Sequence, residues 1–310
     1  MPPSVDNYDR RQLLEYLQRI PIIAYCIQNN CSWQCDEVNL NNNYLHQLHD
    51  FSHVLAGVQK LQLDYNLIEC VDPLFVIALS LQELSLKGNR IRHFDTNSNQ
   101  LIHLTYLDLS NNILSLVHIS KVINLELRLT HNPNDFELEC NTQLTDLRFN
   151  KLQSGQIRQK IIKTAMLLLD YNLLVDLNFL SAKHYLRTLK YLSCSHNLIR
   201  TINEEFFESA INLERLDLSY NYIKNIPNRF LHSKHAISYL NLSFNLIAAV
   251  NTGDLYNMIG LQDVRLFGNP ITDIPSDFLS LSSTLKSIAM TLKHRQCFNA
   301  SRISSQIEEM

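Results

Sequence analysis

One phrase is written four times between Leu189 and Ile271: LKYLSCSHNLI (189–199), LERLDLSYNYI (213–223), ISYLNLSFNLI (237–247) and LQDVRLFGNPI (261–271). All four fit the frame LxxLxLxxNxL, with Asn197, Asn221, Asn245 and Asn269 at its ninth position and a period of 24 residues. Side chains alternate along an extended segment, so Leu213, Leu216 and Leu218 point one way while Arg215, Asp217 and Ser219 point the other. A unit this short buries its apolar side only by stacking on its neighbours. The frame therefore predicts an α/β solenoid in which every unit adds one strand to a parallel sheet. The asparagine amide both donates and accepts, and a column of such residues satisfies backbone groups where the chain bends inward.

Working outward, the same frame is met upstream. CDEVNLNNNYL opens it at Cys35 with Asn43 in register, and VQKLQLDYNLI, LQELSLKGNRI and LTYLDLSNNIL place Asn66, Asn89 and Asn112 at steps of 23 residues. The steps then shorten to 20: NLELRLTHNPN places Asn132, LTDLRFNKLQS puts Leu152 where an asparagine is due, and TAMLLLDYNLL places Asn172. A break in the asparagine column is expected at Leu152. LKSIAM closes the series with Lys293 at the asparagine position, so about twelve repeats span 35–293. Residues 1–34 read as an N-terminal cap, with a helical stripe at Leu13, Leu14, Leu17 and Ile20, and 294–310 as a C-terminal cap or tail.

With the residues that follow Asn197, namely Ile199, Ile202, Phe206 and Leu213 in the pattern NxLxxLxxxFxx(x)xxxL, the chain resembles the leucine-rich-repeat family over about 260 of its 310 residues. The resemblance implies a right-handed arc with the parallel sheet on its concave face and short 3-10, irregular or helical segments on its convex face. It also implies a non-enzymatic binding scaffold for a protein or other macromolecular ligand. The 24-residue class with the convex phenylalanine is typical of extracellular animal proteins of innate immunity and cell adhesion. An intracellular adaptor, such as a phosphatase regulator or ubiquitin-ligase substrate receptor, is the rival reading.

Composition narrows the function further. Net charge is −3 with a pI near 6.4, and the cations are scattered, so there is no electrostatic footprint for nucleic acid. Glycine is scarce, which argues against long linkers. No apolar run reaches the roughly 20 residues that span a bilayer. The first 26 residues do not read as a signal peptide, because Glu15, Gln18 and Arg19 interrupt any apolar core. That absence and the cysteine count favour the intracellular reading; the repeat class favours secretion, given a leader upstream. The seven cysteines are an odd number, so at least one has no partner within the chain. Cys26, Cys31 and Cys35 resemble the cysteine cluster that opens many extracellular members of the family, which implies a disulfide of Cys26 with Cys31 or Cys35. Cys31, Cys35, His46 and His49 have a spacing short of a zinc finger's, and Leu45, Leu48 and Phe51 take the repeat's apolar positions between them, so no metal is expected. No Gly-rich phosphate loop, G-x-S-x-G or H-E-x-x-H is present; neither catalysis nor a cofactor is expected. The sequence is silent on oligomeric state.

Positions three, five, seven and eight of the frame form the open face. In the C-terminal half they supply Tyr191, Arg215 and Tyr239 in one column and Tyr171, His196, Tyr220 and Phe244 in another, with Phe267 nearby. Tyrosine and arginine dominate binding hot spots, and a sheet presents them at little entropic cost. The N-terminal half instead offers a mixed-charge face that includes Lys60, Glu83, Lys87, Tyr106, Asp108, Glu126 and Arg128.

Overall fold

The computed structural model describes residues 36–46, 57–71, 81–95, 103–119, 122, 124–157, 161–178, 187–202, 210–227, 236–250, 260–272 and 285–290. The N-terminal cap, Cys26, Cys31, Cys35, His49, Phe206 and Lys293 lie outside the described residues. The chain divides into two compact units, Met1–Asp146 and Leu147–Met310, and each is a stack of parallel-stranded coils.

In the first unit β1 (Glu37–Asn39), β2 (Lys60–Gln62), β3 (Glu83–Ser85), β5 (Tyr106–Asp108), β7 (Glu126–Arg128) and the end of β8 (Glu137–Asp146) pair in parallel. Their middle residues Val38, Leu61, Leu84, Leu107 and Leu127 are buried, and each is flanked by polar side chains turned outward. Fully burying one such leucine is worth about 2 kcal/mol relative to leaving it exposed.

The far side of this unit is more regular than a series of short turns. There β4 (His93–Asp95), β6 (Leu116–Ile119) and the start of β8 form a second parallel column, with Phe94, Val117 and Leu138 in register and buried. Chain economy accounts for this. An extended residue advances about 3.3 Å and a helical one 1.5 Å, so a stretched return segment lets coils as short as 20 residues (Asn112 to Asn132) and 18 residues (Asn132 to Asn150) close. β8 continues without interruption from the second column into the first.

In the second unit β9 (Ile161–Leu168), β10 (Tyr191–Ser193), β11 (Arg215–Asp217), β12 (Tyr239–Asn241), β13 (Asp263–Leu266) and β14 (Ser287–Met290) pair in parallel. One helical turn, α1 (Ser154–Ile157), precedes them. Leu192, Leu216, Leu240 and Val264 lie in register and are fully buried.

The asparagines do the same work in both units. Asn221 Nδ2 donates to the Leu218 carbonyl of its own coil (3.0 Å) and to the Cys194 carbonyl of the preceding one (2.9 Å), while its Oδ1 accepts Ile199 N–H (3.0 Å). Asn66, Asn89, Asn112, Asn172, Asn197, Asn245 and Asn269 likewise bridge two carbonyls of adjacent coils. Asn132 Nδ2 bridges the Leu109 and Leu129 carbonyls, and Asn43 N–H donates to Asn66 Oδ1.

The break expected at Leu152 does not occur. Strand β7 pairs Leu127 with Thr145 and Arg128 with Asp146, which moves the frame two residues back and puts Asn150 in the column. Asn150 Nδ2 donates to the Leu147 carbonyl at 2.9 Å, and Asn172 Oδ1 accepts both Asn150 N–H and Leu152 N–H. Thr145 is what hid this register. It fills a leucine position fully buried, and its hydroxyl meets Thr142 Oγ1 at 2.7 Å, so the polar atom is satisfied inside the core.

Candidate functional site

The open face of the second unit is built by strands β10 to β13, whose outward residues the stacking brings into rows. Tyr191, Arg215, Tyr239 and Asp263 are successive register partners. The Arg215 guanidinium lies 4.3 Å from the Tyr239 ring centroid, and Arg265 approaches the same ring at 5.2 Å. Arg215 does not turn to the nearby Asp217 because that carboxylate is already engaged. Asp217 Oδ1 accepts Ser219 N–H (2.9 Å) and Ser219 Oγ (2.6 Å), and Oδ2 accepts Asn241 Nδ2 (3.0 Å). Arg215 is left stacked on an aromatic face, its planar fork held in place. Burial raises the Tyr191 and Tyr239 hydroxyls above the ordinary tyrosine range, so both stay neutral donors. Asn241 also begins an Asn-Leu-Ser sequon, and the nitrogen a glycan would take is the one bonded to Asp217.

Tyr171, His196, Tyr220 and Phe244 form a separate row on the turns after the strands. Each has a positive φ, between 52° and 56°, a region that side-chain-bearing residues enter at a cost. Successive rings stack at 4.2, 4.1 and 4.3 Å, so their faces are occupied by one another and only edges meet solvent. The next ring in the C-terminal direction is Phe267, which meets Phe244 edge-on at 5.3 Å. Gly268 takes φ 70° beneath Phe244, where a Cβ would come within 2.5 Å of the ring. Phe149 also belongs to the row, stacked 4.5 Å from Tyr171. Sequence reading missed it because the shifted frame assigned Phe149 to the core; Asn150, immediately after it, is the signal that would have placed it. Arg265 was missed as well, since its part is visible only through the Tyr239 ring between two coils.

The first unit's open face is charged and internally matched. Lys60 Nζ lies 3.4 Å from Glu37 and 3.6 Å from Glu83, and Arg128 holds Glu126 at 2.6 Å while lying 5.2 Å from the Tyr106 ring. Lys60, Lys87, Tyr106, Asp108 and Arg128 line a shallow cavity of about 350 Å³. Burial, and then the Asp108 carboxylate, push the Tyr106 hydroxyl up to about 12. Among the described residues no group of three or more histidine, cysteine or acidic side chains is placed to hold a metal ion. No described helix is long and apolar enough to cross a membrane.

Cys70, Cys140 and Cys194 are free thiols; the first is exposed and the other two are buried. Burial pushes the Cys140 thiol up to about 11 and the Cys194 thiol well above its ordinary 9. An acid whose folded pKa is raised loses its proton first in the unfolded chain, so its contribution to stability is intact below pH 9 and falls as pH rises toward 11. Urea unfolding at pH 8, 9 and 10 is expected to show this decline. A Cys140→Ala/Cys194→Ala double variant should flatten the slope between pH 9 and 10 relative to the parent chain.

The chain is a leucine-rich-repeat protein. Family models described as leucine rich repeat match residues 211–271 and 103–125. Osteomodulin of Bos taurus is 27% identical over 204 residues, covering 62% of this chain and 48% of osteomodulin, and podocan of Mus musculus is 31% identical over 198 residues, covering 59% and 32%. The chain thus spans half or less of the length of these curated relatives. Among solved structures, a leucine-rich-repeat protein of Leptospira interrogans has a TM-score of 0.63 at 27% identity, covering 82% of this chain and 66% of that one. An internalin of Listeria monocytogenes has a TM-score of 0.54 at 15% identity, covering 91% and 90%, which shows the fold alone.

Proposed function

We propose that this chain is a non-enzymatic recognition protein, acting outside the cell, that binds a partner protein on the open strand face of its second unit. The observation that carries this reading is the Arg215 guanidinium stacked on Tyr239 at 4.3 Å while Asp217 is engaged elsewhere. An aromatic–arginine cluster fixed on a sheet loses little rotamer freedom when a partner covers it, which is the physical basis of a hot spot. Tyr191 extends the row by one coil, and the ring row on the turns borders it.

The extracellular assignment draws on the repeat class, and the exposed Cys70 thiol favours the intracellular rival. Counting free thiols in the purified protein separates the two. A disulfide joining Cys26 to Cys31 or Cys35 supports secretion, and seven reactive thiols in the unfolded chain overturn it.

The face itself is tested with the Tyr191→Ala/Arg215→Ala/Tyr239→Ala variant against the partner captured by the unmodified protein. Loss of one hot-spot side chain costs about 2 kcal/mol, about thirtyfold in Kd, so the triple variant is expected to abolish measurable binding. Unchanged affinity in a variant with the parent's circular dichroism would move the site off this face.

A further inference from the structure

The second unit carries another apolar surface, on the turn edge beside the ring row and away from the strand face. Leu173, Leu198, Tyr222 and Leu246 each follow the asparagine of their coil, and they are 40, 36, 48 and 43% exposed. They are contiguous, since the backbone N–H of each donates to a carbonyl of the preceding coil: Leu173 to Leu152, Leu198 to Leu174, Tyr222 to Ile199 and Leu246 to Ile223. Singly exposed leucines are ordinary, but a continuous row of them beside a row of aromatic edges is an interaction surface. We propose that this edge docks an amphipathic α-helix from a partner protein, with acidic residues along one flank of that helix.

Three observations select that occupant. The first is charge. Arg200 and Lys224 stand two residues beyond Leu198 and Tyr222 on one side of the row, and Lys151 stands at its start; all three are exposed, and none forms an ion pair among the described residues. Among the described residues the acid on this edge, Asp176, accepts Asn178 N–H. The second is the backbone. The N–H groups of the apolar row and of the ring row are all donated within the unit, so an extended segment finds no backbone donors in these rows, whereas a helix satisfies its own groups. The third is pitch. Coils repeat at about 4.8 Å; apolar residues on one helix face recur about every 5.4 Å, and those on a strand face only about every 6.7 Å. Five steps along the edge, from Lys151 to Pro270, span about 24 Å, the length of a helix of about 16 residues. An anionic bilayer fits less well, because the other border of the ring row carries the Asp170 and Asp217 carboxylates.

The test uses the full chain and a fluorescein-labelled model peptide of about 18 residues with leucine along one face, glutamate on one flank and alanine elsewhere. Fluorescence anisotropy is expected to show saturable binding, with a gain in peptide helicity by circular dichroism. Leu198→Ser/Leu246→Ser should weaken binding about tenfold or more, Arg200→Glu/Lys224→Glu should weaken it and reverse its salt dependence, and the Tyr191/Arg215/Tyr239 triple variant should leave it unchanged. These substitutions lie on exposed positions, and unchanged unfolding midpoints will confirm that the fold is intact. The proposal is overturned by absence of binding, by equal binding of a scrambled peptide of the same composition, or by tighter association with phosphatidylglycerol vesicles. Sedimentation showing a dimer that the Leu198→Ser/Leu246→Ser variant abolishes would overturn it in favour of a second copy as the occupant.

Discussion

Replacing Asn221 by alanine is expected to lower the unfolding free energy by about 3 kcal/mol, with the urea midpoint as the readout. The size follows from what one amide holds. Asn221 bonds the Leu218 and Cys194 carbonyls and the Ile199 N–H, all buried, and alanine supplies none of these bonds. Each backbone group left unpaired in a dry interior costs about 1–3 kcal/mol, and some are recovered when neighbouring coils relax. An exposed position of the same coil is the control: Lys224→Ala should change stability by about 0.5 kcal/mol or less. Equal effects at the two positions would mean that the column is not a structural spine. The register correction makes a companion comparison in which Asn150→Ala is expected to cost more than Lys151→Ala.

Phe136→Ala is expected to cost about 4 kcal/mol, the second large effect. Phe136 is 1% exposed, the largest fully buried side chain among the described residues, and it enters the core immediately before β8 crosses between the two strand columns of the first unit. Coils contact mainly their neighbours, so the damage should stay local. Hydrogen exchange is expected to accelerate at β6, β7 and β8 with little change at β11 and β12. Uniform acceleration through the second unit would show that the chain unfolds as one cooperative block.

Much of this architecture could be read from residue spacing. The alternation in LERLDLSYNYI places Leu216 inside and Arg215 outside whatever the neighbours do, because both follow from the period of an extended chain. The 24-residue step likewise makes Arg215 and Tyr239 adjacent, since residues one period apart become register partners. What spacing did not carry was the state of polar groups. Thr145 in a leucine's place looks like an error of frame until Thr142 is seen to meet its hydroxyl, and the two-residue shift that concealed Asn150 and Phe149 comes from that one pair.

Sequence by itself thus determined the solenoid, the burial of the leucines and the rows in which the outward residues lie, because a fixed period and a fixed pleat leave the chain no other way to hide its apolar side. Tertiary structure alone decided how those rows are used. It engaged Asp217 with Ser219 and Asn241 and so left Arg215 to Tyr239, it drew the turn rings face to face, and it stretched the short coils into a second strand column. Those outcomes depend on which partner each polar or aromatic group finds in three dimensions, and contacts between coils 20 or more residues apart are not encoded in the alternation along any single one.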